Sequence, residues 1–196
     1  MSDRYTLSSP TLYELLNASL ANNPDAVAQR YKDGSAFVDL SYRQVYENIS
    51  IVAAGLRGLG MENGDPVGLI ADAGHRWLWV SMGIAAQGGV DVPRGTDATR
   101  DDLLYIFQHA SCKIALLEHA KVYEVIQADL ARLPEIKAIV FFDDPGTIEA
   151  PSGVQILSLD ALMKRGRDAL GKDSDLFERM GRAVQPADLA TIIYTS

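Results

Sequence analysis

The chain has 196 residues, of which 47% are hydrophobic and 22% charged, a balance that suits a soluble globular protein with a sizeable core and excludes a disordered chain. Eighteen Lys and Arg against 26 Asp and Glu leave a formal charge of −8, which argues against a nucleic-acid surface but not against a small anion held in a local pocket. Cys112 is the single cysteine, so an internal disulfide is excluded and a reducing, cytoplasmic setting is expected.

From the N-terminus, MSDRYTLSSP lacks the apolar core of a signal peptide. TLYELLNASLANNP reads as a helix: Thr11 and Glu14 have capping-box spacing, Leu12, Leu15, Leu16 and Leu20 share a face, and Asn23-Pro24 ends it. AVAQRY and AFVDLS are short extended runs joined through Lys32-Asp33-Gly34, a hairpin turn. Ser41 with Gln44 opens a second helix with the face Val45, Ile49, Val52, Ala53 and Leu56, closed by Gly58 and Gly60. A regular rhythm then sets in. VGLIA (67–71), GVDVP (89–93), IALLE (114–118) and AIVFF (138–142) read as short buried strands. Between them lie a helix around Arg76 to Gln87, one capped by Thr99 and Asp102, and one carrying Val122, Val125, Ile126, Leu130 and Leu133. Trp77 to Ala86 is the most apolar stretch, about half the length of a membrane span.

Alternating strands and amphipathic helices predict an α/β fold: layered βαβ units, with a mostly parallel sheet covered by helices on both faces. Residues 1–185 are expected to form this α/β subdomain, with 143–185 looser. There VQIL (154–157) suggests one more strand and Leu159 to Lys164 a short helix; the glycine-interrupted, charged run beyond reads as a helical surface excursion. ATIIYTS, at 190–196, reads as a buried strand that delivers two hydroxyls, Thr195 and Ser196.

Candidate chemistry is sparse. GLRGLGMENGD (55–65) lies between a helix and a strand, the reverse of a dinucleotide fingerprint, and its glycines suit helix capping. Without G-x-G-x-x-G or a P-loop, an NAD-dependent oxidoreductase and a P-loop NTPase are disfavoured. His75, His109 and His119 lack metal-ligand spacing, and no metal site is expected. Cys112 reads as a packed thiol, Trp77 and Trp79 as core residues, and the pairs Asp101-Asp102 and Asp143-Asp144 as helix starts or loop edges. Thr195 and Ser196 stand where open α/β sheets place ligands, although on spacing alone a plain strand end accounts for them better than a phosphate site does.

Three stretches together resemble the adenylate-forming acyl-CoA synthetases, the superfamily that includes luciferases and peptide-synthetase adenylation domains. LSYRQVYENISIVAAGLRGLGMENGDPVGLIA is similar to an early helix, its glycine-capped end and the step into a strand. GIAAQGGVDVPRGTDATRDDLLYIFQHASCKIALLE resembles the next two βα units, and QPADLATIIYTS the strand leading into the phosphate loop Y-T-S-G-T-T-G. The resemblance runs from Thr11 to Ser196 and is weakest between Asp143 and Gln185.

The resemblance implies an N-terminal fragment ending inside that loop, with 186–196 the strand and truncated loop, and Thr195 and Ser196 as ATP-phosphate contacts. It implies ATP, Mg²⁺ and coenzyme A as cofactors and a fatty acid as substrate, with catalytic residues lying downstream and the fragment itself inactive. VPRGTDAT and the insertion before Gln185 resemble the long-chain fatty acyl branch. No transmembrane segment is expected, which leaves room for peripheral membrane contact, and the oligomeric state is open. The alternatives are a stand-alone, non-catalytic α/β binding module and another adenylate-forming enzyme, either a short-chain acyl-CoA synthetase or a peptide-synthetase adenylation domain.

Overall fold

The computed structural model describes residues 11–195. Helix α1 (Leu12–Asn22) starts at the expected capping box: the Thr11 hydroxyl accepts the Glu14 N–H and the Glu14 carboxylate accepts the Thr11 N–H, each at 3.2 Å. Strands β1 (Val27–Asp33) and β2 (Ala36–Ser41) pair antiparallel, with Gly34 turning the hairpin at φ +58°. Ser41 and Gln44 make a second capping box and open α2 (Tyr42–Gly58), whose Val45, Ile49, Val52, Ala53 and Leu56 are buried.

Five parallel strands follow: β3 (Pro66–Ile70), β4 (Val90–Arg94), β5 (Ile114–Leu117), β6 (Ala138–Phe141) and β7 (Gln155–Ser158). They are hydrogen-bonded in the order β4-β3-β5-β6-β7. Helices α3 (His75–Ala85), α4 (Arg100–Ala110) and α5 (Ala120–Ile126) connect them. Successive strand residues point to opposite faces, and each face has its own core. Val67, Leu69, Leu116 and Val140 pack with α2 and α3, whereas Ile70, Leu117, Ile139 and Phe141 pack with Leu103 and Phe107 of α4 and Ile126 of α5. The sheet is parallel and covered on both faces, as the apolar rhythm predicts.

The last connecting helix is shorter than its pattern suggests. After Ile126 the chain tightens into a 3-10 helical turn, Gln127–Arg132. Val122, Ile126 and Leu133 stay buried, but Val125 turns outward at 39% exposure. Pro134 follows at once, and Asp129 anchors the turn to α4 by accepting from Arg100 at 2.5 and 2.7 Å.

The stretch from 159 onward corrects the surface-excursion reading. Helix α6 (Leu159–Lys172) is longer than expected and lies along α2, while α7 (Leu176–Ala183) reaches back to α1. Leu159, Leu162, Met163 and Gly166 fall on one helical face and are buried. The glycines that interrupt the sequence pattern are the contact points. A Cβ at Gly166 would overlap the carbonyl oxygen of Ile51 on α2, and one at Gly181 would overlap the Tyr13 ring on α1. Phe177 of α7 meets the rings of Tyr13 and Tyr46 edge-on, each at 5.5 Å.

The terminal segment also differs from the buried strand expected of it. Among the described residues it forms one parallel bridge, Thr191 to Asp91, along the outer edge of β4. Ile192 and Tyr194 pack on the α4 side, whereas Ile193 is 68% exposed because nothing covers the edge's other face within the described residues.

Candidate functional site

Parallel strands deliver all their carboxyl ends to one rim, and the order β4-β3-β5 makes that rim open between β3 and β5. The chain leaves β3 toward β4 through α3, then crosses by α4 to the other side for β5, so the connections diverge there. Polar side chains just beyond the strands bind the rim together. The Asp72 carboxylate accepts the Thr96 N–H at 3.1 Å and its hydroxyl at 3.0 Å, and the Asp72 N–H donates to Glu118 at 2.8 Å. The Thr96 bonds hold the Asp72 carboxyl below the usual carboxylate range. Arg76, in the first turn of α3, donates to the Phe142 carbonyl at 2.6 Å and lies 3.4 Å from Asp143.

Two openings flank this network. One, of about 310 Å³, is lined by Asp72, His75, Arg76, Trp77, Glu118 and Asp143. Three carboxylates against an Arg already bonded to a carbonyl make it poorly suited to a phosphate. The other, an open cleft of about 530 Å³, is lined by Arg94, Asp102, Tyr105, Ile106, Tyr194 and Thr195. Here the exposed Thr195 shares the cleft with the Arg94 guanidinium. Asp102 is the acid on its wall, and that carboxylate is taken up by the Thr99 N–H at 3.1 Å and hydroxyl at 2.8 Å. Arg94 also lies 3.4 Å from Asp97, so the cleft offers an anion a hydroxyl and a guanidinium partly shared with that carboxylate.

Tyr194 fixes the direction in which Thr195 leaves the sheet. Its hydroxyl lies 2.8 Å from His109 Nδ1 on α4, and its ring meets Tyr105 edge-on at 5.9 Å. Ser196 lies outside the described residues, so the pair of hydroxyls is represented by Thr195 alone.

Residues 16–196 match the model of the AMP-binding enzyme family. The chain belongs to that family. It is 28% identical, over its whole length, to the long-chain-fatty-acid–CoA ligase ACSBG2 of Xenopus laevis, of which it covers 26%. It is 26% identical over 86% of its length to the chloroplastic long-chain-fatty-acid–[acyl-carrier-protein] ligase AEE15 of Arabidopsis thaliana, covering 25% of that protein. Its fold is similar to the crystal structure of the N-terminal domain of FACL13 from Mycobacterium tuberculosis, with a TM-score of 0.67, 22% identity, and coverage of 95% of this chain and 42% of that one. The chain thus spans about a quarter of the length of the curated relatives it matches.

Within this member of the AMP-binding enzyme family the remaining candidates of the sequence take structural places. Cys112 is fully buried before β5, and burial pushes its thiol up to about 12. His75 begins α3, stacks on Tyr31 at 3.8 Å and is shifted downward, chiefly by burial and then by Arg76. His119 sits at the start of α5. Trp79 is a core residue whose ring N–H donates to Gln29 at 2.8 Å, while Trp77 is half-buried beside the smaller opening. Asp101 and Asp102 occupy the first turn of α4, and Asp144 accepts the Gly146 N–H at 3.0 Å. Among the described residues no group of three or more His, Cys, Asp or Glu side chains could hold a metal ion, and no helix is long and apolar enough to cross a membrane.

Arg94, Asp72, Thr96 and Glu118 were not singled out by sequence. The signal for them was their position, each at or just after the carboxyl end of an apolar run.

Proposed function

We propose that the chain forms the N-terminal part of an ATP-dependent ligase that activates a long-chain fatty acid as its acyl-adenylate and passes the acyl group to the thiol of coenzyme A. The match of residues 16–196 to AMP-binding enzymes is the observation that supports this most, and the names of the aligned ligases supply the substrate class. On this reading a fatty-acid carboxylate attacks the α-phosphorus of ATP and the bond to pyrophosphate breaks. The thiolate of coenzyme A then attacks the acyl carbon, and the bond to AMP breaks.

Residues 1–185 serve as scaffold in this scheme, and 186–196 carry the start of the phosphate loop. Thr195 and Ser196 donate hydroxyl hydrogen bonds to the ATP phosphates. The Arg94 guanidinium, at the end of β4, adds positive charge beside Thr195. Mg²⁺ bound to the ATP phosphates would supply positive charge for the pyrophosphate leaving group. The relative AEE15 supports a second acceptor in place of coenzyme A, the thiol of an acyl carrier protein.

The test is acyl transfer assayed with ATP, Mg²⁺ and palmitate, offering coenzyme A or acyl carrier protein. The purified 196-residue chain is expected to form no thioester. A polypeptide of the relatives' length that begins with this sequence is expected to release AMP only when fatty acid is present, and faster with palmitate than with butyrate. Thioester formed by the short chain would show that Thr195 and Ser196 are not the start of an incomplete site. A longer polypeptide that releases no AMP with any fatty acid would remove the ligase assignment.

A further inference from the structure

We propose that Asp91 is a proton-controlled pin for the segment that brings Thr195 to the cleft: protonated, it lets residues 190–192 lie sealed along β4, and ionised, it loosens them. Asp91 is 4% exposed and belongs to β4, the sheet strand beside which that segment runs. Among the described residues, the two backbone hydrogen bonds that join the segment to the sheet are both its own. Its N–H donates to the Ala190 carbonyl and its carbonyl accepts the Ile192 N–H, each at 2.9 Å.

The side chain of Asp91 is turned toward α3. There Ser81 Oγ donates to Oδ2 at 2.6 Å, while the buried Oδ1 has no partner among the described residues. A neutral carboxyl tolerates such a place, but a carboxylate with one hydrogen bond does not. Thr191 stands beside Asp91 across the bridge, so lifting the segment uncovers the carboxyl to water.

Among the described residues the groups facing it are uncharged: Ser81 from α3, Val67 as its ladder partner on β3, and Thr191 from the segment. Charged and titratable residues of the same elements are engaged elsewhere. Arg76 bonds the Phe142 carbonyl, His75 stacks on Tyr31, and Arg94 lies against Asp97. Asp188 accepts from the Gln185 N–H and from Asn63. Burial therefore pushes the Asp91 carboxyl up to about 6, with the Ser81 bond pulling it partly back. Opening the segment returns it to the ordinary range near 4, so opening becomes easier as pH rises from about 4 to about 6 and levels off above.

Hydrogen exchange at the Asp91 and Ile192 amides tests this, with protection corrected for the intrinsic rate at each pH. Between pH 5 and pH 7.5 the wild-type chain is expected to lose about tenfold of that protection, and Asp91→Asn to lose none. Amides of Leu69 and Leu116 serve as controls and are expected to hold steady in both. Equal pH dependence in the two proteins, or none in wild type, would overturn the proposal. A second measurement needs no variant: the ¹³C shift of the Asp91 carboxyl is expected to titrate with a midpoint near 6, and a midpoint below 5 would also overturn it. Any effect on phosphate contacts at Thr195 rests on the ligase reading. The exchange measurement does not, so the two can fail separately.

Discussion

Asp91 and Cys112 are both nearly or fully buried titratable groups, and burial acts on them in the same direction, toward the neutral form. For Asp91 the folded value lies above the unfolded one, so the folded chain binds more protons between about pH 4 and 6 and loses stability as pH rises through that window. Removing the charge should remove the loss. Asp91→Asn is expected to match wild type in urea unfolding near pH 3.5 and to exceed it by up to about 3 kcal/mol above pH 6. For Cys112 the expectation is chemical: the native chain should resist a thiol-reactive disulfide reagent at pH 8, and denaturant should expose one reactive thiol. At this scale the sequence was uneven. The packed thiol of Cys112 could be read from the apolar runs around it. The Asp72–Thr96–Glu118 network could not, because it joins residues 24 and 46 positions apart that meet only once strand order is known.

Helix ends were the most legible elements. Thr11, Ser41 and Thr99 each carry a partner three residues on, and each makes both bonds of the box, since capping is settled within one turn. Helices α6 and α7 were misread for the opposite reason. Their apolar face is narrow and partly made of glycine, whose value lies in what it lets approach rather than in area buried. Substitution separates the two uses of glycine within one helix. Gly166→Ala is expected to cost roughly 3 kcal/mol or more, because the added methyl meets the Ile51 carbonyl with no room to yield. Gly171→Ala meets nothing within 4 Å among the described residues and is expected to be neutral or to stabilise by up to about 1 kcal/mol. Thermal melts of the two variants compare them directly. Equal melting temperatures would mean that α6 does not rest on α2 through Gly166.

Over the whole molecule, acid groups pull in two directions. Asp39, Asp129 and Asp173 are held low by Arg30, Arg100 and Arg179, and Asp72 and Asp102 by Thr96 and Thr99. Their contribution is present above the unfolded value near 4 and fades as pH falls through their lowered ones, opposite in sign to Asp91. The Asp39 and Asp173 carboxylates are 40% and 41% exposed, so salt should screen their Arg pairs, whereas Asp129 at 13% should be screened less. Circular dichroism between pH 2 and 7 is expected to show acid unfolding beginning below about pH 4, at a pH that depends on salt. An onset that does not move with salt would assign the transition to other groups.

The contact between α2 and α6 also has a consequence in time. Ile51 and Gly166 are separated in sequence by all five strands of the central sheet, yet each is the other's cover. A ribosome releases the chain from its N-terminus at roughly 5–20 residues per second. For several seconds the apolar stripe of α2 therefore emerges without α6 to receive it. Holdase chaperones should bind nascent chains arrested between β3 and β7 and let go once residue 183, the end of α7, has cleared the exit tunnel.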